Sequence, residues 1–309
     1  MALRVGSRGS ALALWQANFL RDWLQQHGGL SSELVIIKTS GDRFQKGDVG
    51  QIGIKGVFIK ELEDALLEHR VDLAVHSMKD VPTGLPAGLI ISAIGRREEV
   101  RDCLVSRNGA GLAELPKGAR VGTSSLRRAA QLSLFRPDLQ ICELRGNVDT
   151  RLRRLDEGQY NAIVLAKAGL DRLGWSNRIT EVISTEISLP AVGQGAIGVE
   201  TREDDREAVA ALAAFDHAET RVGVTAERAL MAELEGGCQV PLGAWGRVEN
   251  GELVLEARVL AADGSEHIYD RISGLPPDAA RLGKELAQRM LRAGADRILK
   301  LTGRSLERK

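Results

Sequence analysis

The chain has 309 residues, enough for two or three domains with a buried core. Apolar residues make up 43% and charged residues 27%, which excludes disordered and fibrous classes, and 42 basic residues balance 42 acidic ones, which excludes a chain built around one polyanion. Cys103, Cys142 and Cys238 show no CxxC spacing, which argues against a zinc site or a disulfide framework, and no apolar run reaches the roughly 18 residues of a membrane helix, so a cytoplasmic chain is expected.

In chain order, Leu3-Arg-Val-Gly-Ser-Arg-Gly-Ser10 reads as a strand, a glycine and a hydroxyl cap ahead of an apolar-periodic helix. A strand Leu34 to Thr39, a loop carrying Gly41, Gly47, Gly50, Gly53 and Gly56, a helix Phe58 to Glu68 and a strand Val71 to His76 follow. The same signature returns at Ala119-Arg-Val-Gly-Thr-Ser-Ser125, again before a helix. It is followed by a strand Leu139 to Leu144, a helix Val148 to Glu157, a strand Ala162 to Leu165 and a helix Gly169 to Leu173. This alternation predicts two α/β domains on parallel sheets, related by a pattern of elements rather than by identity. Arg96 to Asp102 and the Gly-rich Leu189 to Gly198 read as domain crossings. Beyond Leu230 the texture changes to a strand Glu252 to Leu260, a turn, a strand His267 to Ile272 and one long helix Pro277 to Leu301, a small α+β domain.

The densest chemical signal is basic. Between Lys117 and Arg154 stand nine cations against the three acids Asp138, Glu143 and Asp149. Arg136, Arg153 and Arg154 fit a solvated helix face. Arg127, Arg128, Arg145 and Arg151 lie just past strand ends and at helix starts, where open α/β sheets bind ligands and free N–H groups favour anions. Arg8 and Ser10 hold the equivalent place in the first unit, which suggests a hinged cleft closing on a ligand with several acidic groups. In His76-Ser-Met-Lys-Asp-Val-Pro82, Asp80 follows a buried strand and can stabilise a developing cation, with Lys79 favouring its ionised form; a capped helix start explains the same residues. Cys103 and Cys142 sit in strand patterns and read as buried apolar side chains. Cys238, in a Gly-Gly-Cys turn, is open to a bulky group, and a plain loop cysteine reads equally well. No GxxxxGK[ST], HExxH or GxSxG pattern occurs, so phosphate-loop, metal and serine-hydrolase chemistry find no support.

Five motifs converge: Val-His-Ser-Met-Lys-Asp-Val-Pro, Gly-Thr-Ser-Ser-Leu-Arg-Arg, Leu-Arg-Gly-Asn-Val-Asp-Thr-Arg-Leu, Leu-Pro-Ala-Val-Gly-Gln-Gly and Leu-Glu-Gly-Gly-Cys-Gln-Val-Pro-Leu-Gly. In this order they resemble the signatures of the hydroxymethylbilane synthase (porphobilinogen deaminase) family, from about Arg4 to the last helix. The resemblance implies two periplasmic-binding-protein type II-like α/β domains with a hinged cleft, residues 1–96 with 197–215 and residues 97–196, plus a small α+β domain over 216–309. It implies a monomer that joins four porphobilinogens head to tail with loss of ammonia, on a dipyrromethane cofactor attached to Cys238 through a thioether, with no metal, membrane or nucleic-acid partner.

By motif, the resemblance makes Asp80 the catalytic carboxylate, assisted by Lys79, with both also touching the cofactor. Thr123, Ser125, Arg127 and Arg128 would hold cofactor; Arg8, Ser10, Arg145, Arg151, Arg172 and Gln194 would hold substrate, with Lys55 and Phe58 on a glycine-rich cover. Ala11 stands where the family commonly has Pro, and Gln51 where many bacterial members have Lys. Two rivals remain at this point. One is a pure binding protein, with no special role for Asp80 or Cys238. The other is a nucleic-acid binder, weakened by an aromatic content of only 4% for base stacking.

Overall fold

Both strand-to-helix units read from the sequence form where they were expected. The computed structural model describes residues 2–38, 59–234 and 240–306; the expectations for Cys238, Lys55, Phe58 and Gln51, and the glycine-rich loop over 47–56, lie outside them. In chain order the described elements begin with β1 (Leu3–Ser7), α1 (Ala11–Gly28), β2 (Ser32–Ile36), α2 (Lys60–Leu67), β3 (Leu73–Ser77), a 3₁₀ turn (Met78–Asp80) and β4 (Leu89–Ile94). Next come β5 (Asp102–Ser106), β6 (Arg120–Gly122), α3 (Leu126–Phe135), β7 (Gln140–Cys142), α4 (Val148–Asp156), β8 (Ala162–Ala166), α5 (Lys167–Arg172) and β9 (Glu181–Val182). The chain continues with β10 (Ile197–Arg202), α6 (Arg206–Leu212), α7 (Ala218–Glu233), β11 (Leu242–Glu249), β12 (Glu252–Leu260), β13 (His267–Gly274), α8 (Ala279–Arg292) and α9 (Ala295–Leu306).

The chain divides into two compact units, Met1–Glu98 with Gly195–Arg221, and Glu99–Gln194 with Val222–Lys309. The first holds a five-stranded sheet in the order β2-β1-β3-β10-β4; the second holds one in the order β7-β6-β8-β5-β9 and a three-stranded sheet β11-β12-β13. The two larger orders are one permutation, with β6 to β9 in the places of β1 to β4 and β5 in the place of β10. Repetition of elements in the sequence is therefore repetition of topology.

The expectation of purely parallel sheets is corrected. β10 runs antiparallel to β3 and β4, and β5 runs antiparallel to β8 and β9. A strand buried on both faces reads as an apolar run whichever way it points, so burial pattern carries no direction.

Strand periodicity places the core on both sides of the first sheet. Leu73 and Val75 of β3 join Ala17, Leu20 and Leu24 of α1, while Ala74, between them, joins Leu62, Ala65 and Leu66 of α2. In the second unit, Leu253, Leu255, Ala257 and Val259 of β12 pack with Leu282, Leu286 and Met290 of α8 and with Ala226 and Leu230 of α7. The single C-terminal helix expected over Pro277 to Leu301 is instead a 3₁₀ turn followed by α8 and α9, because Gly294 adopts φ +101° between the two helices.

Helix α7 leads into the segment that contains Cys238, and its seat on β11 depends on two glycines. A Cβ at Gly223 would lie 2.4 Å from the Gly246 carbonyl oxygen, a backbone atom that cannot rotate away. Gly223→Ala gains about 1 kcal/mol of helix propensity but forces this overlap, so a net loss of about 1–2 kcal/mol is expected in denaturant unfolding. An unchanged or raised midpoint would contradict the close approach.

Candidate active site

In the first unit, candidate residues rise from one sheet edge. β1 and β3 are parallel neighbours, with Val5 opposite Leu73 and Gly6 opposite Ala74, so their carboxyl ends lie side by side. Beyond β1 come Arg8 and Ser10. The Ser10 side chain accepts from the Ala13 N–H at 3.3 Å and caps α1, so Ala11 at the first helical position leaves the cap intact. Beyond β3 come Lys79, half-buried, and Asp80, exposed.

The turn that presents them is fixed from below. Met78 is buried and its N–H donates to the Ala196 carbonyl at 3.0 Å; the Val81 N–H donates to the Met78 carbonyl at 3.2 Å. Gln16 of α1 donates from Nε2 to the Ser77 hydroxyl at 2.8 Å, tying the second turn of α1 to the end of β3. On the opposite face of β3, His76 Nε2 lies 2.9 Å from Glu200 Oε2 in a buried pair, with Glu63 of α2 nearby. Burial, and then the Glu200 charge, raises the Glu63 carboxyl above its ordinary value.

In the second unit, the carboxyl ends of β6, β7 and β8 share an edge, and the start of the antiparallel β5 joins it, with Asp102 opposite Ala166. Past β6, the Ser125 side chain caps α3 by accepting from the Arg128 N–H at 3.4 Å, and the buried Thr123 hydroxyl accepts from the Ser125 N–H at 3.2 Å. Arg145 is exposed beside Glu143, with which it pairs, and Arg151 Nε donates to the Gly146 carbonyl at 2.7 Å. Arg172, in the last turn of α5, is buried. Of the cations expected on a solvated helix face, Arg153 makes an exposed contact with Glu157 at 3.7 Å, whereas Arg136 lies just past the helix, part-buried, where it binds Asp138 and three carbonyls.

Arg127 and Arg128 are only 4% and 6% exposed, and both grip the fully buried Asp102. Arg127 Nη1 donates to Asp102 Oδ2 at 2.7 Å and Nη2 to Oδ1 at 3.2 Å; Arg128 donates to Oδ1 from Nε at 3.0 Å and from Nη2 at 2.7 Å. Gln194 Nε2 donates to Oδ1 at 2.9 Å and to the Val100 carbonyl at 2.6 Å, so this candidate substrate contact sits at the same carboxylate. Burial alone would raise the Asp102 carboxyl; the charges of Arg127 and Arg128, with their hydrogen bonds, reverse this and hold it well below the usual carboxylate range. Arg127 moves down instead, through burial, with the neighbouring Arg128 charge acting in the same direction and Asp102 opposing both.

Two cations and one anion leave this cluster with one net positive charge away from water. The Arg127 Nε is buried and has no hydrogen-bond partner among the described residues. A carboxylate such as an acetate or propionate of a dipyrromethane would fit both that charge and that donor. The position of the cluster fits as well. The Leu189 carbonyl accepts from Arg127 Nη1 at 2.6 Å, and the next carbonyl, of Pro190, accepts from the Ala244 N–H of β11 at 2.9 Å. β11 is the strand that follows the Cys238 segment, so it and the arginine pair are fastened to adjacent peptide units. Leu234 and Leu242, on either side of that segment, are buried in one core.

Residues 3–210 match the family described as "Porphobilinogen deaminase, dipyromethane cofactor binding domain", and residues 222–292 match its C-terminal domain. The chain belongs to the porphobilinogen deaminase family. It is 53% identical over 296 residues to the porphobilinogen deaminase of Desulforudis audaxviator, covering 96% of each chain. It is 49% identical over 298 residues to that of Trichlorobacter lovleyi, covering 96% of this chain and 95% of the other. Among solved structures, the VFT2 domain of Bordetella pertussis BvgS superposes with a TM-score of 0.42 at 16% identity, over 68% of this chain and 84% of that one. As a family member the chain is a transferase that condenses four porphobilinogens head to tail, with loss of ammonia, to hydroxymethylbilane on a dipyrromethane held by a cysteine. Among the described helices, none is long and apolar enough to cross a membrane.

Sequence reasoning missed Asp102, reading Arg96 to Asp102 as a crossing. The available signal was a carboxylate opening the apolar strand Asp-Cys-Leu-Val in a chain with surplus arginines nearby. It also missed Glu227 of α7, buried, whose oxygens accept from the Gly193 N–H at 2.6 Å and the Gly246 N–H at 2.7 Å. Nothing in the local sequence marks that residue.

Proposed function

We propose that Asp80 is the catalytic carboxylate of this condensation, that Cys238 carries the dipyrromethane through its thioether, and that Arg127 and Arg128 hold a cofactor carboxylate. The observation that carries the reading is the buried arginine pair with one uncompensated charge, fastened beside the strand that leaves the Cys238 segment. When bound, the dipyrromethane supplies the terminal pyrrole carbon to which the first substrate is joined.

Asp80, exposed on a turn anchored through Met78, faces the cation left on porphobilinogen as ammonia departs and lowers its energy by opposite charge. Lys79, next to Asp80 on the same turn, assists it in contacting cofactor and substrate. Arg8, Ser10, Arg145, Arg151 and Arg172 bind the acetates and propionates of substrate and growing chain, each a match for a guanidinium fork or a hydroxyl donor. Thr123 and Ser125 order the start of α3 on which the arginine pair stands. Gln194 holds Asp102, and Lys55 and Phe58 belong to a cover that excludes water.

The same reading takes residues 1–96 with 197–215, 97–196 and 216–309 as three domains of a cytoplasmic monomer without a nucleic-acid partner. The last point is supported by the engagement of Arg127, Arg128 and Arg136 in ion pairs, which removes them from any phosphate-binding stripe.

The test is the intact mass of the reduced, purified chain and ammonia release on adding porphobilinogen. An excess equal to two porphobilinogens less two ammonias, mapped to Cys238, together with ammonia release, is the expected result. No mass gain and no ammonia after incubation would leave an anion-binding protein as the better account.

A further inference from the structure

We propose that Asp102 is the positioning residue of the arginine pair: it orients Arg127 and Arg128 before the cofactor arrives and, by cancelling one of their two charges, limits the pair to one ligand carboxylate. This rests on the assignment of the pair to the cofactor.

Six donors converge on the Asp102 carboxylate, the four guanidinium contacts, Gln194 Nε2 and the Ser188 hydroxyl, the last at 3.1 Å to Oδ2. Two carboxylate oxygens offer about four lone-pair sites, so Asp102 is saturated and locked in place. Even for a matched ion pair, burial costs nearly what attraction returns. Here a second guanidinium is buried on the same carboxylate, and among the described residues no further acid pairs with either arginine. That arrangement makes sense where another anion completes it.

The contacts also show which donors remain. On Arg128, Nε and Nη2 face Asp102 and Nη1 reaches the Val164 carbonyl at 3.2 Å. On Arg127, Nη1 and Nη2 face Asp102, and Nε stays without a partner among the described residues. A guanidinium has five N–H groups, so each arginine keeps donors for an incoming oxygen while its plane is fixed by Asp102. Without that fixed carboxylate, two long side chains would spread over many rotamers and take up whatever small anion was present. The charge left over is one, which one ligand carboxylate neutralises.

The experiment uses full-length chain made in cells that produce no porphobilinogen, as wild type, Asp102→Asn and Asp102→Glu, each checked for folding by circular dichroism. Porphobilinogen is added, and the rate at which intact mass gains the dipyrromethane increment is followed over a series of sodium acetate concentrations. The expected result is loading at least about tenfold slower in Asp102→Asn, since the guanidinium planes are no longer held. Its loading should also fall more steeply with acetate, because a doubly charged pair binds the competing monocarboxylate more tightly. Asp102→Glu keeps the charge but displaces the carboxylate by a methylene, so it should load slowly with the acetate dependence of wild type.

A folded Asp102→Asn that loads at the wild-type rate, or loads slowly with unchanged acetate dependence, would overturn the proposal. Should the Asn variant fail to fold, Asp102→Glu decides alone, and loading at the wild-type rate rejects the positioning role. Failure of the wild type itself to gain mass would sink the cofactor assignment and this inference with it, an outcome recognisable without any variant.

Discussion

Asp80→Asn leaves the chain folded and lowers kcat by about a hundred- to a thousandfold, the range seen when one preorganised electrostatic contact to a transition state is removed. The structure gives two reasons to expect so clean a separation. The Asp80 side chain is exposed and makes no hydrogen bond or ion pair among the described residues, while the turn that presents it is held by Met78 and the Ala196 carbonyl. Substitution at such a place changes stability by about 0.5 kcal/mol or less. Asn keeps the size of the carboxylate but removes its charge and turns one acceptor oxygen into an NH2 donor, so the loss reports chiefly charge stabilisation of the cation left as ammonia departs. Porphobilinogen consumption, intact mass and melting temperature measured on one preparation separate the effects. Normal turnover would reject Asp80 as the catalytic carboxylate, and a collapsed melting temperature would show that its role is structural.

What the sequence revealed followed from local chemistry. Ser10 and Ser125 are helix caps because a hydroxyl ahead of an apolar-periodic run satisfies free N–H groups, and both caps form. β12 was readable from alternation, and its observed bounds Glu252–Leu260 coincide with the expected ones. Features set by distant partners stayed hidden. The direction of β5 and β10 depends on where the chain re-enters each sheet, and residue patterns carry no mark of it. The strand β11 drew no expectation from the sequence, and its close seat on α7 shows only where Gly246 meets Gly223.

The site divides along the same line. The arginines were visible as a local excess, but the carboxylate that holds two of them lies 25 and 26 positions earlier in the chain. A cluster of like charges announces itself in sequence, whereas the single opposite charge that organises it looks like any other aspartate. The consequence concerns function: Arg127 and Arg128 are not a free basic patch waiting for any anion, but a buried pair already matched to one carboxylate and short of a second.

Cys238→Ala should abolish activity, remove the cofactor mass and lower the melting temperature by roughly 5–10 °C, since a ligand bound only to the native state contributes a few kcal/mol of stability. The chain has two other thiols that could in principle be alkylated, and the structure disfavours both. Cys103 is fully buried in β5 with its Sγ 3.6 Å from the Leu165 carbonyl, and burial pushes its thiol up to about 12, leaving almost no thiolate near neutral pH. Cys142 closes β7, half-buried, with its Sγ 3.6 Å from the Gln140 carbonyl. The Cys238 segment, by contrast, leaves from the buried Leu234 and returns to the buried Leu242, whose strand hangs on Pro190 beside the Leu189 carbonyl that Arg127 grips. On the proposed assignment a cofactor carboxylate neutralises the arginine pair, so losing the anchor should lower stability together with activity. Persistence of the full mass excess in Cys238→Ala would move the anchor to another residue. Loss of the excess with an unchanged melting temperature would show that the arginine pair draws no stability from the cofactor.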